Sequence, residues 1–284
     1  MKFFVLGCNG MAGHLISLYL KEQGHDVLGF ARRKSKYVDS IEGDACDTVL
    51  LKEIIEKGKF DTIINCIGLL NQFAENNKSQ AAFLNGYLPH YLADITSSMD
   101  TQVFHMSTDC VFSGKKGQYT ENDFPDGETF YDHSKALGEL KDDKNLTLRN
   151  SIVGPDINPN GIGLLNWFMK QEGEINGYTK AIWTGQTTYQ LAKTMEQAAK
   201  DHVTGLINAV PSSSINKYEL VGLFNKYLRN GKVKINPIDG VNADKSLIRT
   251  NKSWNYEIPD YETMVVEMAQ WVKSHKELYT HYNL

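Results

Sequence analysis

No long apolar run occurs in the 284 residues. The stretch nearest the start, Phe3-Phe4-Val5-Leu6, is far too short to cross a bilayer, with one lysine before it and no small-residue cleavage site after it. Neither a membrane anchor nor a secretion signal is expected, and the expected compartment is the cytoplasm. Positive charge is not in excess: 30 Lys and Arg against 34 Asp and Glu leave a formal net charge of -4, and no segment forms a polybasic face. Nucleic acid is therefore not an expected partner. Cysteine is scarce. Cys8, Cys46, Cys66 and Cys110 form no Cys-x-x-Cys pair, which argues against a metal knuckle and a dithiol motif, and no metal site is expected. Internal repeats and low-complexity tracts are also absent. What remains is an ordinary globular composition, 41% apolar, with length for one large domain or two unequal ones.

The first half alternates short apolar runs with amphipathic stretches. Strands are predicted at Lys2 to Leu6, Asp26 to Phe30, Thr62 to Cys66, Gln102 to Ser107 and Leu146 to Ser151, and helices at Met11 to Gln23, Thr48 to Lys57, Gln80 to Ser98 and Tyr131 to Leu140. Repeated βαβ units close most simply as an α/β, Rossmann-type doubly wound parallel sheet. After Ser151 the breaker-rich run Gly154-Pro155-Asp156-Ile157-Asn158-Pro159-Asn160-Gly161 marks a boundary. Residues 1–152 are expected to form a nucleotide-binding domain, with a return segment near 185–210 that includes the strand-like Leu206 to Val210. Residues 153–184 and 211–284 would form a smaller, partly discontinuous second domain that ends in an amphipathic helix carrying Val265, Val266, Met268, Trp271 and Val272.

Directly behind the first strand stands Gly7-Cys8-Asn9-Gly10-Met11-Ala12-Gly13. A strand that turns on glycines into a helix can aim free N–H groups and the positive helix end at a phosphate, although such a turn can also be a mere tight connection. At the end of the strand Gln102 to Met106 stands Ser107-Thr108-Asp109, where open parallel sheets place their ligands. Tyr131 and Lys135, four apart at the start of a helix, can share one face; a nearby ammonium favours phenolate, and a hydroxyl such as Thr108 can hold a carbonyl oxygen while the tyrosine supplies or takes its proton. Tyr189 and Lys193 repeat the spacing. Only Tyr131 follows a Ser-Thr-Asp strand end in the half with the glycine loop, so the later pair is expected to be an exposed helix face.

These segments, together with Gly43-Asp44-Ala45-Cys46-Asp47, Asn65 to Gly68 and Asn85, resemble the extended short-chain dehydrogenase/reductases. Within them, the run Ser107 to Gly114, Tyr119 with Glu121 and Asp123, and Ser134-Lys135 with Gly138-Glu139 are most similar to the dTDP-4-dehydrorhamnose reductases. The likeness is clear over the first 155 residues and continues faintly at Gly185-Gln186-Thr187-Thr188 and Leu191-Ala192. It implies that Thr108, Tyr131 and Lys135 are a catalytic triad, the lysine also touching the nicotinamide ribose. It further implies that Gly7, Gly10 and Gly13, with the N–H groups of Met11 and Ala12, hold a pyrophosphate, and that Asp44 and Ala45 lie beside the adenine. Cys66, Ile67, Gly68 and Ser107 would line the dinucleotide, Asn85 would belong to the helix behind the active-site strand, and Ile152 and Val153 would face the nicotinamide. Asp109 and Val111 would lie on the substrate side. The sequence departs from that pattern at Cys110, where an aromatic residue is usual, at Asp132, where glycine follows the tyrosine, and at Ile152, where a sugar-contacting tryptophan is common.

Past the second strand, Phe30-Ala31-Arg32-Arg33-Lys34 has no carboxylate for a ribose 2′-OH and offers guanidinium forks for a 2′-phosphate, so NADP(H) is expected, with NAD(H) possible. Among basic and aromatic residues of the second half, Trp183 is the preferred substrate contact and Arg249 the second; Trp167 is expected to be packing. The expected activity is reduction of the keto group of a nucleotide-linked 4-keto-6-deoxy sugar for cell-surface polysaccharide, by a monomer or homodimer. The alternatives are an epimerase or dehydratase of the same superfamily, and a non-catalytic NADP-binding regulatory subunit. Dehydratases usually follow the threonine with Asp-Glu, and here Cys110 follows Asp109.

Overall fold

The computed structural model describes all residues, Met1–Leu284. Its centre is a seven-stranded sheet built from β1 (Lys2–Leu6), β2 (Asp26–Ala31), β3 (Ser40–Glu42), β4 (Thr62–Asn65), β5 (Gln102–Ser107), β6 (Leu146–Arg149) and β11 (Gly205–Asn208), in the order β11-β6-β5-β4-β1-β2-β3. Every pairing in it is parallel. This is a Rossmann-type α/β fold. The order reverses direction between β1 and β4, and a crevice opens there at the carboxyl ends of the strands. Strands covered on both faces must be apolar throughout, and Phe3, Phe4, Val5 and Leu6 are all fully buried.

Helices α1 (Met11–Glu22) and α2 (Thr48–Gly58) follow β1 and β3. A short α3 (Asn71–Asn76) leads into a long helical stretch, α4 (Lys78–Ala81) and α5 (Leu88–Ile95), interrupted by one wide π-type turn at Ala82–Tyr87. The interruption has a covalent cause. Pro89 has no N–H to give the carbonyl four residues back, so the Asn85 oxygen is released from the regular ladder. Gly138 packs on that oxygen: a Cβ there would lie 2.0 Å from it. Gly138 caps α6 (Phe130–Leu137), whose first turn is closed by a reciprocal pair in which Thr129 Oγ1 accepts from the Asp132 N–H and Asp132 Oδ2 accepts from the Thr129 N–H. The residue that departs from the family pattern after the tyrosine thus starts the helix that carries Tyr131 and Lys135.

The second half adds β7 (Ser151–Val153), α7 (Leu164–Phe168), β8 (Glu174–Tyr178), β9 (Ala181–Trp183), β10 (Gly185–Thr187), α8 (Thr188–Lys200), β12 (Ile215–Asn216), α9 (Lys217–Leu228), β13 (Lys234–Ile238), β14 (Ala243–Asp244) and α10 (Tyr261–Ser274). β10 pairs with β7, and α8 then returns the chain to the edge strand β11. The predicted single strand Leu146 to Ser151 is broken at Asn150, because β6 stays in the large sheet while β7 leaves it for β10. The chain end reaches back to the first helix: His14 Nε2 lies 2.9 Å from the Tyr279 hydroxyl, and the Tyr282 hydroxyl accepts from the Asp156 N–H at 2.9 Å.

Candidate active site

The glycine loop closes by backbone approach. Gly7 has φ +81°, and a Cβ at Gly13 would sit 2.2 Å from the Gly7 carbonyl oxygen, so helix α1 can start this close to β1 only without that side chain. Gly10 precedes α1 with no side-chain cap, which leaves the N–H groups of Met11, Ala12 and Gly13 without acceptors in the chain. Gly10, directly before them, lines a groove of about 600 Å³ together with Gly7, Arg32, Arg33, Asp44, Ala45, Cys66, Ile67 and Gly68. A Rossmann cradle of this kind fits the pyrophosphate of a dinucleotide. Arg32 and Arg33 are exposed and in no ion pair, so their guanidinium groups are free for a phosphate on the ribose. Asp44 also accepts from the Cys46 N–H at 2.9 Å. A cleft of about 770 Å³ at the opposite ends of the strands, lined by Asp61, Asp100, Asp143 and Lys144, contains none of these groups.

At the Cys66 end of the groove lies a buried polar cluster. Thr108, at the end of β5, accepts from the Cys110 N–H and donates to Asp109 Oδ1, both at 3.1 Å. Tyr131 and Lys135, on one face of α6, are 6% and 5% exposed. Burial raises the Tyr131 phenol above its usual range, with Cys110 adding to the rise and the Thr108 hydroxyl opposing it. Burial likewise pushes the Lys135 ammonium down to about 8, opposed by Glu139 and Cys66. Lys135 donates to the Met106 carbonyl at 2.6 Å and stands 3.3 Å from His105 Nε2. Cys66 lines the groove and lies beside Lys135, so the cluster stands behind that end of the groove without itself lining it.

The remaining residues singled out in the sequence take varied positions. Asn85 is fully buried, accepting from the Leu69 N–H at 2.8 Å and donating to the Leu69 carbonyl at 2.9 Å and to Ser134 Oγ at 3.0 Å, so it braces the groove wall against α6. Ser107 donates to Glu139 at 2.8 Å, and Glu139 receives a two-pronged ion pair from Arg149, both charged groups fully buried. Val111 packs inside a small apolar cluster with Phe112, Tyr119, Val210 and Leu247. Ile152 sits half-buried on β7. Arg249 is turned onto its own loop, donating to the carbonyls of Asn251, Trp254 and Tyr256, and is not brought to Tyr131. Trp183 is buried, and the Lys217 ammonium lies 4.8 Å over its ring. Lys217 also faces Asp109, a relation that spacing alone does not reveal, and burial pushes its ammonium down to about 8. Tyr189 is half-buried against Trp271 rather than on an exposed face, and Lys193 pairs with Glu267 at 2.9 Å. Trp167, expected to pack, is 41% exposed.

The family model described as RmlD substrate binding domain matches residues 1–283. The chain belongs to that family. It is 34% identical over 143 residues to the probable low-salt glycan biosynthesis reductase Agl14 of Haloferax volcanii, 49% of this chain and 48% of that protein. Over 144 residues it is 27% identical to the dTDP-4-dehydrorhamnose reductase of Mycobacterium tuberculosis, covering 49% and 44%. The chain thus spans about half the length of these curated relatives. Among solved structures, the Bacillus anthracis dTDP-4-dehydrorhamnose reductase in complex with NADP superposes with a TM-score of 0.79 at 18% identity, covering 96% of this chain and 99% of that one. The UDP-glucose 4-epimerase of Thermotoga maritima gives 0.75 at 15%, with 96% and 99% covered. These likenesses establish the RmlD-type fold, and since a reductase and an epimerase share it, the chemistry is decided by the site.

Proposed function

We propose that this chain is a cytoplasmic reductase that uses NADPH to reduce the keto group of a nucleotide-linked 4-keto-6-deoxy sugar, in cell-surface polysaccharide synthesis. One observation carries the reading: Cys66 lines the groove that begins at the glycine loop and also lies beside Lys135, so the buried Thr108, Tyr131 and Lys135 stand behind the end of that groove. The names of the Haloferax and Mycobacterium relatives point the same way.

NADPH, when bound, supplies a hydride. The N–H groups of Met11, Ala12 and Gly13 would hold its pyrophosphate, and Arg32 and Arg33 its 2′-phosphate. The Thr108 and Tyr131 hydroxyls would bind the keto oxygen and stabilise the charge that develops on it. Tyr131 then gives that oxygen its proton. Its raised ionisation keeps the phenol protonated, which suits an acid in a reduction. Trp183 and Lys217 are the substrate contacts we favour, the ring for an apolar face and the ammonium for an oxygen of the sugar nucleotide.

The test is incubation with NADPH and a panel of 4-keto-6-deoxy nucleotide sugars. Loss of reduced-cofactor absorbance matched by a hydroxyl at the former keto carbon supports the reading; isomerised or dehydrated product without net cofactor consumption overturns it.

A further inference from the structure

The chemistry above leaves unused a row of buried polar side chains beneath Lys135. Asn65 and His105 are register partners on β4 and β5, and both are fully buried. The Ile67 backbone N–H donates to Asn65 Oδ1 at 3.1 Å. A backbone N–H can only donate, so the amide oxygen is fixed on that side and Asn65 Nδ2 is the atom that faces His105 Nδ1, at 3.3 Å. His105 Nδ1 must accept. A neutral imidazole has one donor and one acceptor, so its proton sits on Nε2, which points at Lys135 Nζ 3.3 Å away. An ammonium has no lone pair to receive that N–H, whereas an amine has one. The bond from Lys135 to the Met106 carbonyl is available to either form.

We propose that Asn65 and His105 are positioning residues, a hydrogen-bond relay of fixed direction that offers Lys135 an N–H and so makes the lysine a readier donor of the proton that reloads Tyr131. The consequence rests on the reductase reading, and the geometry does not. In balance, the Tyr131 O–H bond breaks as the product hydroxyl forms, a Lys135 N–H proton passes to the tyrosinate, the resulting amine accepts from His105 Nε2–H, and the lysine regains its proton from solvent. The other ionisable groups that act on Lys135 are Cys66 beyond β4 and Glu139 beyond α6, while Tyr131 lies one turn before it on α6; His90 on α5 faces His105. Burial, with Lys135 adding to it, holds His105 well below the usual imidazole range, so the ring stays neutral. Cys66 and Glu139 favour the ammonium, and burial acts with the relay against it.

The first test needs no turnover. In the ¹⁵N-labelled whole protein, the side-chain resonances of His105, assigned by their loss in His105→Gln, should report the Nε2–H tautomer; the Nδ1–H tautomer or an imidazolium overturns the relay. The second is the pH profile of kcat/KM for NADPH-dependent reduction. His105→Leu removes the donor, and Asn65→Asp makes Nδ1 the donor and turns an Nε2 lone pair to the lysine, so both should move the alkaline limb up by about one pH unit. A limb that stays in place in both variants, with only a lower plateau, would assign the pair a structural role. If no substrate is turned over, the reductase reading fails while the tautomer still decides the relay.

Discussion

At the glycine-loop end of the groove the groups proposed to hold the cofactor are backbone N–H groups and two exposed arginines, with no buried side chain among them. At the other end, Tyr131, Lys135, His105, Ser107 and Glu139 are all buried and held by partners on several elements. One end works by leaving room and the other by filling it. Phosphate recognition needs donors that reach solvent and no obstruction, so its residues tolerate water. Proton transfer needs ionisation set by desolvation, so its residues must be packed. Substitutions at the two ends should therefore fail in different measurements.

The largest effect is expected from Tyr131→Phe, which removes one oxygen from the buried end and leaves the cradle alone. We expect kcat to fall by about 10²–10⁴-fold while NADPH binding, followed by quenching of protein fluorescence, stays unchanged. Loss of binding together with rate would merge the two ends and sink the comparison.

Next is Glu139→Gln. Glu139 takes both prongs of Arg149, at 2.8 and 2.7 Å, and also accepts from Ser107 of β5. Removing one charge strands the other in the core, a cost of about 3–5 kcal/mol in urea unfolding. The Arg149 guanidinium also stacks 4.9 Å over the Phe112 ring and cannot easily turn to water. A loss below about 1 kcal/mol would mean that water reaches this pair, and that the buried end is less dry than drawn.

A third contrast belongs to the open end. Replacing Arg32 and Arg33 together by Ala should raise KM for NADPH about ten- to a hundredfold, as expected for lost charge-assisted hydrogen bonds, and leave KM for NADH near its original value. Equal loss for both cofactors would place the arginines elsewhere than at a 2′-phosphate. Stability should hardly change, because neither side chain packs in the core.

The parallel half of the fold was legible because apolar runs of four to six residues can be buried on both faces only in such a sheet, and because chain order alone brings the ends of β1, β4 and β5 to one crevice. The same argument explains why Gly7 to Gly13 and Ser107 to Asp109 meet. What spacing could not show is contact between different elements. Tyr279 reaches His14, Arg149 reaches Glu139 beneath the site, and Lys217 comes to lie on Trp183. Each depends on packing between elements whose separation in sequence says nothing about distance. The wide turn at Ala82–Tyr87 had a visible cause in Pro89, yet a proline inside an apolar periodic stretch reads equally as a break, and only the packing of Gly138 on the released Asn85 oxygen shows why the helix continues.

The smallest effect separates local from tertiary control at the buried end. Asp132 stands where the family pattern has glycine, and its carboxylate accepts from the N–H groups of Glu128 and Thr129 at 3.1 and 3.0 Å. Asp132→Ala opens one half of the reciprocal cap and should cost about 1 kcal/mol of stability in urea unfolding. If α6 is held chiefly by its cap, Tyr131 and Lys135 shift with it and kcat falls in step. If it is held by its packing, through Gly138 on the Asn85 oxygen and Lys135 on the Met106 carbonyl, kcat should change less than twofold, within the range of about 0.4 kcal/mol. We expect the second outcome, because the first turn that carries Tyr131 is also held from other elements, by Ala74 and Ala81 packed on the tyrosine and by Glu75 accepting from the Phe130 N–H, while Lys135 and Gly138 fix the far end.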